Sequence, residues 1–264
     1  ARNDEDSATE VYKEGIYVGY RYFDTFGIEP AYEFGYGLSY TEFDTQVLSV
    51  EADAEKVNVK VSVTNTGDTY AGKEVVQVYY SAPDSEAAEK EYQELGAYAK
   101  TDLLQPGQSQ EMTITFNTKD MAYYNEAEAA YMLDAGNYII RVGNSSRNTH
   151  VAAVLALDET VKTEQLSNQL TVPEDQKFEE LSKEGKTPYT YDTEADEIAA
   201  AQTIALTKES FGEPANHVSA YDDESVTTYT TDASYEAKQD YEKVEVVEEK
   251  AGVKLLDVYN GDVS

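Results

Sequence analysis

The chain has 264 residues, of which 20 are basic and 52 acidic, and its formal net charge is −32. This charge argues against a nucleic-acid partner, because phosphate backbones are bound through Lys and Arg. Cysteine is absent, which excludes disulfides and thiolate metal sites. That absence fits a cytoplasmic compartment slightly better than a secreted one but does not fix the compartment.

The apolar runs and the two ends of the chain indicate whether it carries a membrane helix or a signal peptide. No segment reaches the ~18 continuous apolar residues that a membrane helix needs. The first residues are polar and resemble no signal peptide, and there is no initiator Met. We therefore expect a piece excised from a longer protein.

No catalytic or ligand-binding motif is visible. The two histidines, His150 and His217, lie far apart and have no ligand-like spacing. A calcium loop, a phosphate-cradling glycine loop and a nucleophile elbow are also missing. The sequence therefore predicts no catalytic residues, no cofactor-binding residues and no metal site.

Aromatic residues dominate the first segment, residues 1–43. Ala31 to Phe43 packs five aromatic rings around two glycines, and Tyr12 to Asp24 precedes it. Such a stretch has two interpretations: a core loop punctuated by glycine, or the fingerprint of a family. We interpret residues 1–43 as an arm wrapped on the domain that follows, and Arg21 as a structural cation–π or ion-pair residue.

From Thr45 the pattern changes to short alternating strands. Valines alternate with polar residues over Val57–Val63, which is typical of a strand with one buried face. Seven or so strands over about 110 residues predict an all-β, immunoglobulin-like antiparallel β-sandwich. The residues expected to include most of its core are Val59, Val61, Val76, Val78, Ile114, Phe116, Ile139 and Val142.

The last segment, residues 158–264, is acidic and poorly patterned. Asp192–Leu206 predicts one short helix, with Thr193 as its cap. Ser219–Ser234 suggests a loop or added strands, and Asp240–Val247 a strand or an extended lead-in. We expect a long connector that lies over the sandwich and makes few long-range strand pairings.

Several long motifs resemble one family. Tyr12–Asp24 and Phe34–Phe43 resemble the end of the second domain of family-3 glycoside hydrolases. Val63–Tyr79, Glu94–Ser109 and Ala135–Arg147 resemble the fibronectin type III-like domain that follows it in β-glucosidases. The resemblance covers residues 10 to about 157.

The resemblance implies a division of the chain into three parts. Residues 1–43 would be the end of an α/β sandwich domain, 44–157 the fibronectin type III-like sandwich, and 158–264 a connector. Val253–Ser264 resembles the lead-in to a (β/α)8 barrel. This order matches a permuted subgroup of the family, in which the barrel comes last.

The resemblance also implies a role. The parent enzyme would hydrolyse terminal β-glycosides with retention, and its two catalytic carboxylates would lie outside this chain. The fragment would be a non-catalytic accessory domain that braces the α/β sandwich and barrel domains, its partners. A carbohydrate-binding β-sandwich module is the alternative, since 23 tyrosines offer rings for sugars; a surface adhesion module is a third class.

Overall fold

The computed structural model describes residues 11–168, residue 172 and residues 177–218. Among these residues β-structure predominates, and the two α-helices are short: α1 (Tyr20–Thr25) and α2 (Glu194–Ala200). The first six strands are β1 (Phe43–Ala52), β2 (Lys56–Asn65), β3 (Val75–Ser81), β4 (Glu94–Lys100), β5 (Ser109–Asn117) and β6 (Tyr123–Asn125). The others are β7 (Ala130–Leu133), β8 (Gly136–Ser145), β9 (Asn148–Leu157), β10 (Val161–Gln165), β11 (Gln202–Leu206) and β12 (Ala215–Asn216).

Two sheets form the sandwich. One has the antiparallel order β1-β2-β5, and the other has the order β11-β9-β8-β3-β4. A smaller sheet, β12-β10-β7-β6, lies beside them. The predicted all-β, fibronectin type III-like sandwich is confirmed. Predictions for Ser219–Ser234, Asp240–Val247 and Val253–Ser264 lie outside the described residues. None of the described helices has the length and apolar character that a bilayer crossing requires.

The core lies between the two large sheets and follows the alternation of the sequence. In β2, Val57, Val59, Val61 and Val63 are fully buried, while the polar residues that alternate with them are only half-buried. Burying each valine stabilises the fold by roughly 1.5–3 kcal/mol. Seven of the eight predicted core residues are buried in one cluster: Val59, Val61, Val76, Val78, Ile114, Phe116 and Val142.

Ile139 was wrongly predicted to face the core. In β8 the buried residues of the apolar face are Tyr138, Ile140 and Val142, and Ile139 is only half-buried. Successive side chains of a strand point to opposite faces, so Ile139 and Val142 cannot share one face of a regular strand. Ile140 takes the core position, and Arg141 is buried on the opposite face.

The predicted helix over Asp192–Leu206 is correct only in its first half. Helix α2 ends at Ala200, and β11 then runs parallel to β9, with Gln202 opposite Ala153 and Leu206 opposite Leu157. The edge of β9 offers backbone groups for pairing, and pairing with them outweighs continued helix. The Thr193 hydroxyl does not cap α2; it donates to Glu197 Oε1 at 2.8 Å.

Residues after 157 pair more than an extended connector would. Strand β10 pairs with β7, β11 with β9, and the two-residue β12 with β10. The apolar side chains Val161, Leu206 and Phe211 join the core cluster of the sandwich. The described part of this segment is therefore packed on the sandwich; the division of the chain at residue 157 stays a prediction.

Candidate functional site

The root of the arm is held by a buried ion pair. Asp24, the acidic residue of α1, accepts a hydrogen bond from Arg147 Nε at 2.8 Å, and its side chain is only 1% exposed. Arg147 follows β8 in the turn to β9, and it also donates to the carbonyl oxygens of Phe23 and Ile28. One guanidinium thus gathers the last turn of α1 and the residues that follow it onto the sandwich.

Neighbouring polar groups complete this anchor. Burial raises the pKa of Asp24, and the hydrogen bonds from Arg147 and Gln93 and the charge of Arg147 oppose the rise. Gln93 Nε2 donates to Asp24 and to the carbonyl of Ser146. A buried carboxylate is tolerated only when it is paired and hydrogen-bonded, as here. We call Asp24, Arg147, Gln93 and Ser146 the arm anchor.

A second buried pair fastens the segment 177–200, which we call the strap. Arg141 Nη2 lies 2.7 Å from Glu194 Oε1, and both side chains are nearly inaccessible to solvent. Tyr92 donates to the same carboxylate at 2.6 Å, and its ring lies 5.0 Å from the Arg141 guanidinium. Arg141 therefore occupies the polar face of β8 that the strap covers.

The strap also contacts the arm. The amide of Tyr189 donates to the Asp24 carbonyl at 2.7 Å, and the Tyr189 ring lies 4.6 Å from the Arg147 guanidinium. The amide of Leu181 donates to the carbonyl of Lys13 at 2.7 Å. The arm root thus lies between the sandwich and the strap.

Near the end of the strap, the ionised form of the Glu197 carboxyl group is strongly stabilised. Glu197 in α2 accepts hydrogen bonds from the Val151 amide, His150, Thr193 and Tyr191. Burial by itself would raise the pKa of Glu197, but these hydrogen bonds together lower it to about 2. His150 thus serves as a contact of α2, whereas His217 lies 4.0 Å from Glu164.

Beyond α1 the arm continues into a loop over residues 31–40, which we call the aromatic loop. Its first half is attached to the sheet: the Phe34 carbonyl accepts a hydrogen bond from the Ser146 amide at 2.8 Å, and the Phe34 ring stacks on Tyr20. Gly35 has φ +88°, and a Cβ there would lie 2.4 Å from Gln77 Nε2. Only glycine permits this approach without a shift.

The second half of the aromatic loop is exposed. The side chains of Leu38 and Tyr40 are 91% and 92% exposed, and the exposed rings of Tyr32 and Tyr36 contact each other with centroids 4.9 Å apart. Tyr40 lies 5.9 Å from Tyr70, which is also exposed. Exposed apolar side chains that lie together on a surface, as these do, often mark a site of interaction with a partner.

A cleft of about 500 Å³ lies between the aromatic loop and the ends of five strands. Tyr36 and Leu38 form its apolar side, and Glu74, Asn144 and Asn148 contribute polar groups. Asn144 Nδ2 donates to Glu74 Oε2 at 3.4 Å. The cleft therefore offers hydrogen-bonding groups beside an aromatic ring.

Among the described residues no group of three or more His, Cys, Asp or Glu side chains is placed to hold a metal ion. Arg21 forms ion pairs with Glu91 and Glu94, each at 3.5 Å, in agreement with its predicted structural role. These ion pairs hold the arm and the strap on the sandwich, and they leave the aromatic loop exposed.

Sequence reasoning missed the residues of the arm anchor. Asp24 ends the motif Tyr12–Asp24 and Arg147 ends the motif Ala135–Arg147, but 123 positions separate them. Nothing in either motif states that they meet. A weak signal was present: each is a charged residue that directly follows a run of the motif without other charges, Tyr22-Phe23 before Asp24 and Val142 to Ser146 before Arg147, and an unpaired charge would be costly to bury there.

The family profile described as fibronectin type III-like domain matches residues 74–146. Over 162 residues the chain is 40% identical to thermostable beta-glucosidase B of Acetivibrio thermocellus, a match that covers 60% of this chain and 21% of that protein. Over 189 residues it is 42% identical to beta-glucosidase A of Butyrivibrio fibrisolvens, covering 63% of this chain and 22% of that protein.

A solved structure shows the same similarity to β-glucosidases. A beta-glucosidase from Paenibacillus barengoltzii superposes with a TM-score of 0.57 and 43% identity, covering 60% of this chain and 18% of that one. The chain thus spans about a fifth of the length of these relatives. The predicted resemblance to the fibronectin type III-like domain of family-3 β-glucosidases is confirmed for the region that matches.

Proposed function

We propose that this chain, with its fibronectin type III-like domain of the β-glucosidase type, is a non-catalytic accessory region that braces the catalytic domains of a longer glycosidase. The parent enzyme would remove terminal β-linked sugars with retention, as the family resemblance implies. Its domain order would be permuted, with the α/β sandwich domain before this region and the barrel domain after it.

One observation carries the bracing role: the aromatic loop is attached at its base and uncovered at its tip. Leu38 and Tyr40 are more than nine-tenths exposed, whereas Phe34 and Gly35 are fixed against the sheet. Exposing apolar side chains on a preorganised loop costs free energy that a partner surface would recover on contact. We infer that the partner is another domain of the same enzyme.

The test uses the longer protein encoded by the same gene. Leu38→Ser and Tyr40→Ser should lower its melting temperature and its hydrolysis of p-nitrophenyl β-glucoside, while the same substitutions leave the stability of residues 1–264 alone unchanged. The matched control is Tyr98→Ser, an exposed tyrosine on β4 that is not part of the loop. Equal behaviour of all three variants in the longer enzyme would contradict the bracing role.

The chain alone should not hydrolyse glycosides. Aryl β-glucosides incubated with a high concentration of residues 1–264 should release p-nitrophenol no faster than buffer. Turnover above that rate, abolished by substituting a single Asp or Glu within the chain, would mean that the catalytic carboxylates are here.

The second candidate, carbohydrate binding, is favoured by the cleft beside Tyr36. An aromatic ring next to Glu74, Asn144 and Asn148 suits a sugar, which presents an apolar face and a rim of hydroxyls. Calorimetric titration with cello-oligosaccharides would detect it. Binding lost in Tyr36→Ala but kept in Tyr98→Ala would favour the module over the brace.

A further inference from the structure

The strap is bound to the arm root through backbone hydrogen bonds. The amide of Leu181 donates to the carbonyl oxygen of Lys13, and the amide of Tyr189 donates to the carbonyl oxygen of Asp24, both at 2.7 Å. In both bonds the strap supplies the donor and the arm supplies the acceptor. Water can take the place of each donor when the strap leaves, so these bonds do not require the two segments to separate together.

The backbones of the two segments also approach each other at Gly27 of the arm. A Cβ on this residue would lie only 2.3 Å from the carbonyl oxygen of Thr187 in the strap, and its φ of +61° is a second reason for glycine. No side chain fits between the segments at this point. The strap therefore lies directly on the arm root.

Tyr189 of the strap covers the ion pair of the arm anchor. Its ring lies 4.6 Å from the Arg147 guanidinium, and its hydroxyl donates to the Arg147 carbonyl oxygen at 3.2 Å. The Arg147 side chain is only 9% exposed. Among the residues that the structure describes, the hydrogen-bond acceptors of this guanidinium all belong to the arm: Phe23, Asp24, Ile28 and Glu29.

The strap is attached to the sandwich through contacts that do not include the arm. Glu194 binds the Arg141 guanidinium at 2.7 Å and accepts a hydrogen bond from the Tyr92 hydroxyl at 2.6 Å. The Lys183 ammonium binds the Asp84 carboxylate at 2.6 Å. Weakening these contacts therefore favours opening of the strap without breaking a bond between the arm and the sandwich.

The arm in turn is attached to the sandwich through contacts that do not include the strap. Asp24 binds Arg147 at 2.8 Å, and the Tyr20 hydroxyl accepts a hydrogen bond from the Leu95 amide at 2.9 Å. Neither contact is broken when the strap opens. The arm root can therefore stay on the sandwich while the strap is open.

We propose that the strap is a latch over the arm root, so that the arm root leaves the sandwich only after the strap has opened. Opening of the strap by itself exposes Arg147 to water and leaves Asp24 beside it. Release of the arm beneath a closed strap would bury the Arg147 cation without its carboxylate, which is strongly unfavourable. The latch thereby keeps the base of the aromatic loop in place.

The latch is a property of this chain, so its test does not depend on the bracing role. Native-state hydrogen exchange follows two amides that bond within the arm, Phe26 and Ile28, and one amide of the strap, Tyr189. Tyr92→Phe removes the hydroxyl that binds Glu194 on the strap. It should speed the exchange of all three amides by the same factor, roughly 5-fold, because the arm opens only from the strap-open state.

Tyr20→Phe is the matched change on the arm side, since it removes the hydroxyl that accepts a hydrogen bond from the Leu95 amide. It should speed the exchange of the two arm amides roughly 5-fold and leave the strap amide unchanged. Tyr124→Phe is the control, because its hydroxyl binds Asn168, outside both contacts. It should change none of the three amides.

Two results in the variants would overturn the latch. If Tyr92→Phe speeds exchange in the strap and not in the arm, the arm opens independently. If Tyr20→Phe speeds exchange in the strap, the strap follows the arm. The wild-type chain in low urea decides the case in which neither variant changes exchange: opening of the arm amides should need at least as much free energy and show at least as steep a urea dependence as opening of the strap amide, and smaller values would contradict the proposal.

Discussion

The root and the tip of the arm have similar compositions and opposite environments. Both are rich in Tyr and Phe, yet Tyr17 and Asp24 at the root are buried while Leu38 and Tyr40 at the tip are exposed. The difference arises from polar contacts, because Arg147 of the arm anchor pairs with Asp24 and donates a hydrogen bond to the carbonyl oxygen of Phe23 in the root. Aromatic content alone therefore does not determine which part of such an arm is covered.

The largest effect should come from breaking the arm anchor. Asp24→Ala leaves the buried Arg147 without its best partner and should cost about 3–5 kcal/mol in the free energy of unfolding. Glu29→Ala is the matched control, since Glu29 binds the same guanidinium from a side chain that is 87% exposed; it should cost less than about 1 kcal/mol. Urea unfolding measures both, and equal costs would contradict a buried anchor.

A smaller effect should follow removal of a root ring. Tyr17 is buried, packs edge-on against Phe26 at 5.1 Å and donates to Glu89 at 2.6 Å. Tyr17→Ala should therefore cost about 3 kcal/mol. Tyr12→Ala removes an exposed ring from the same arm and should cost less than about 0.5 kcal/mol. Thermal unfolding of the two variants would show whether burial, and not arm position, sets the cost.

The strap should detach from β9 in acid before the arm root does. The lowered pKa of Glu197, about 2 against an ordinary 4.5, means that its stabilisation is present above pH 4.5 and is lost as the pH falls toward 2. The loss should be about 2 kcal/mol. Hydrogen exchange in α2 and β11 reports it, and Glu197→Gln should remove the dependence. Glu164→Gln, an exposed carboxylate near His217, is the control.

The smallest effect should be at the tip. Leu38→Ser and Tyr40→Ser should each change the unfolding free energy of this chain by less than about 0.5 kcal/mol, because both side chains already lie in solvent. Differential scanning calorimetry checks this. A loss above about 1 kcal/mol would mean that the tip packs on this chain in solution, and the contrast between root and tip would be wrong.

The sequence by itself determined the sandwich and most of its core. Period-two alternation shows which side chains share one face of a strand. The amino-acid pattern alone therefore assigns the four valines Val57, Val59, Val61 and Val63 to the core face. The same rule failed at Ile139 because an apolar pair, Ile139-Ile140, satisfies the pattern in either register. Only packing against the facing sheet selects Ile140 for the core.

Only the tertiary structure determined which charged residues pair and which secondary structure residues 202–206 adopt. Asp24 meets Arg147, and Arg141 meets Glu194, across separations that local patterns do not encode. Residues 202–206 became a strand because the edge of β9 lay open to them, which a helical pattern cannot anticipate. Local propensity is weak, about a kcal/mol or less per residue, so a long-range partner readily overrides it.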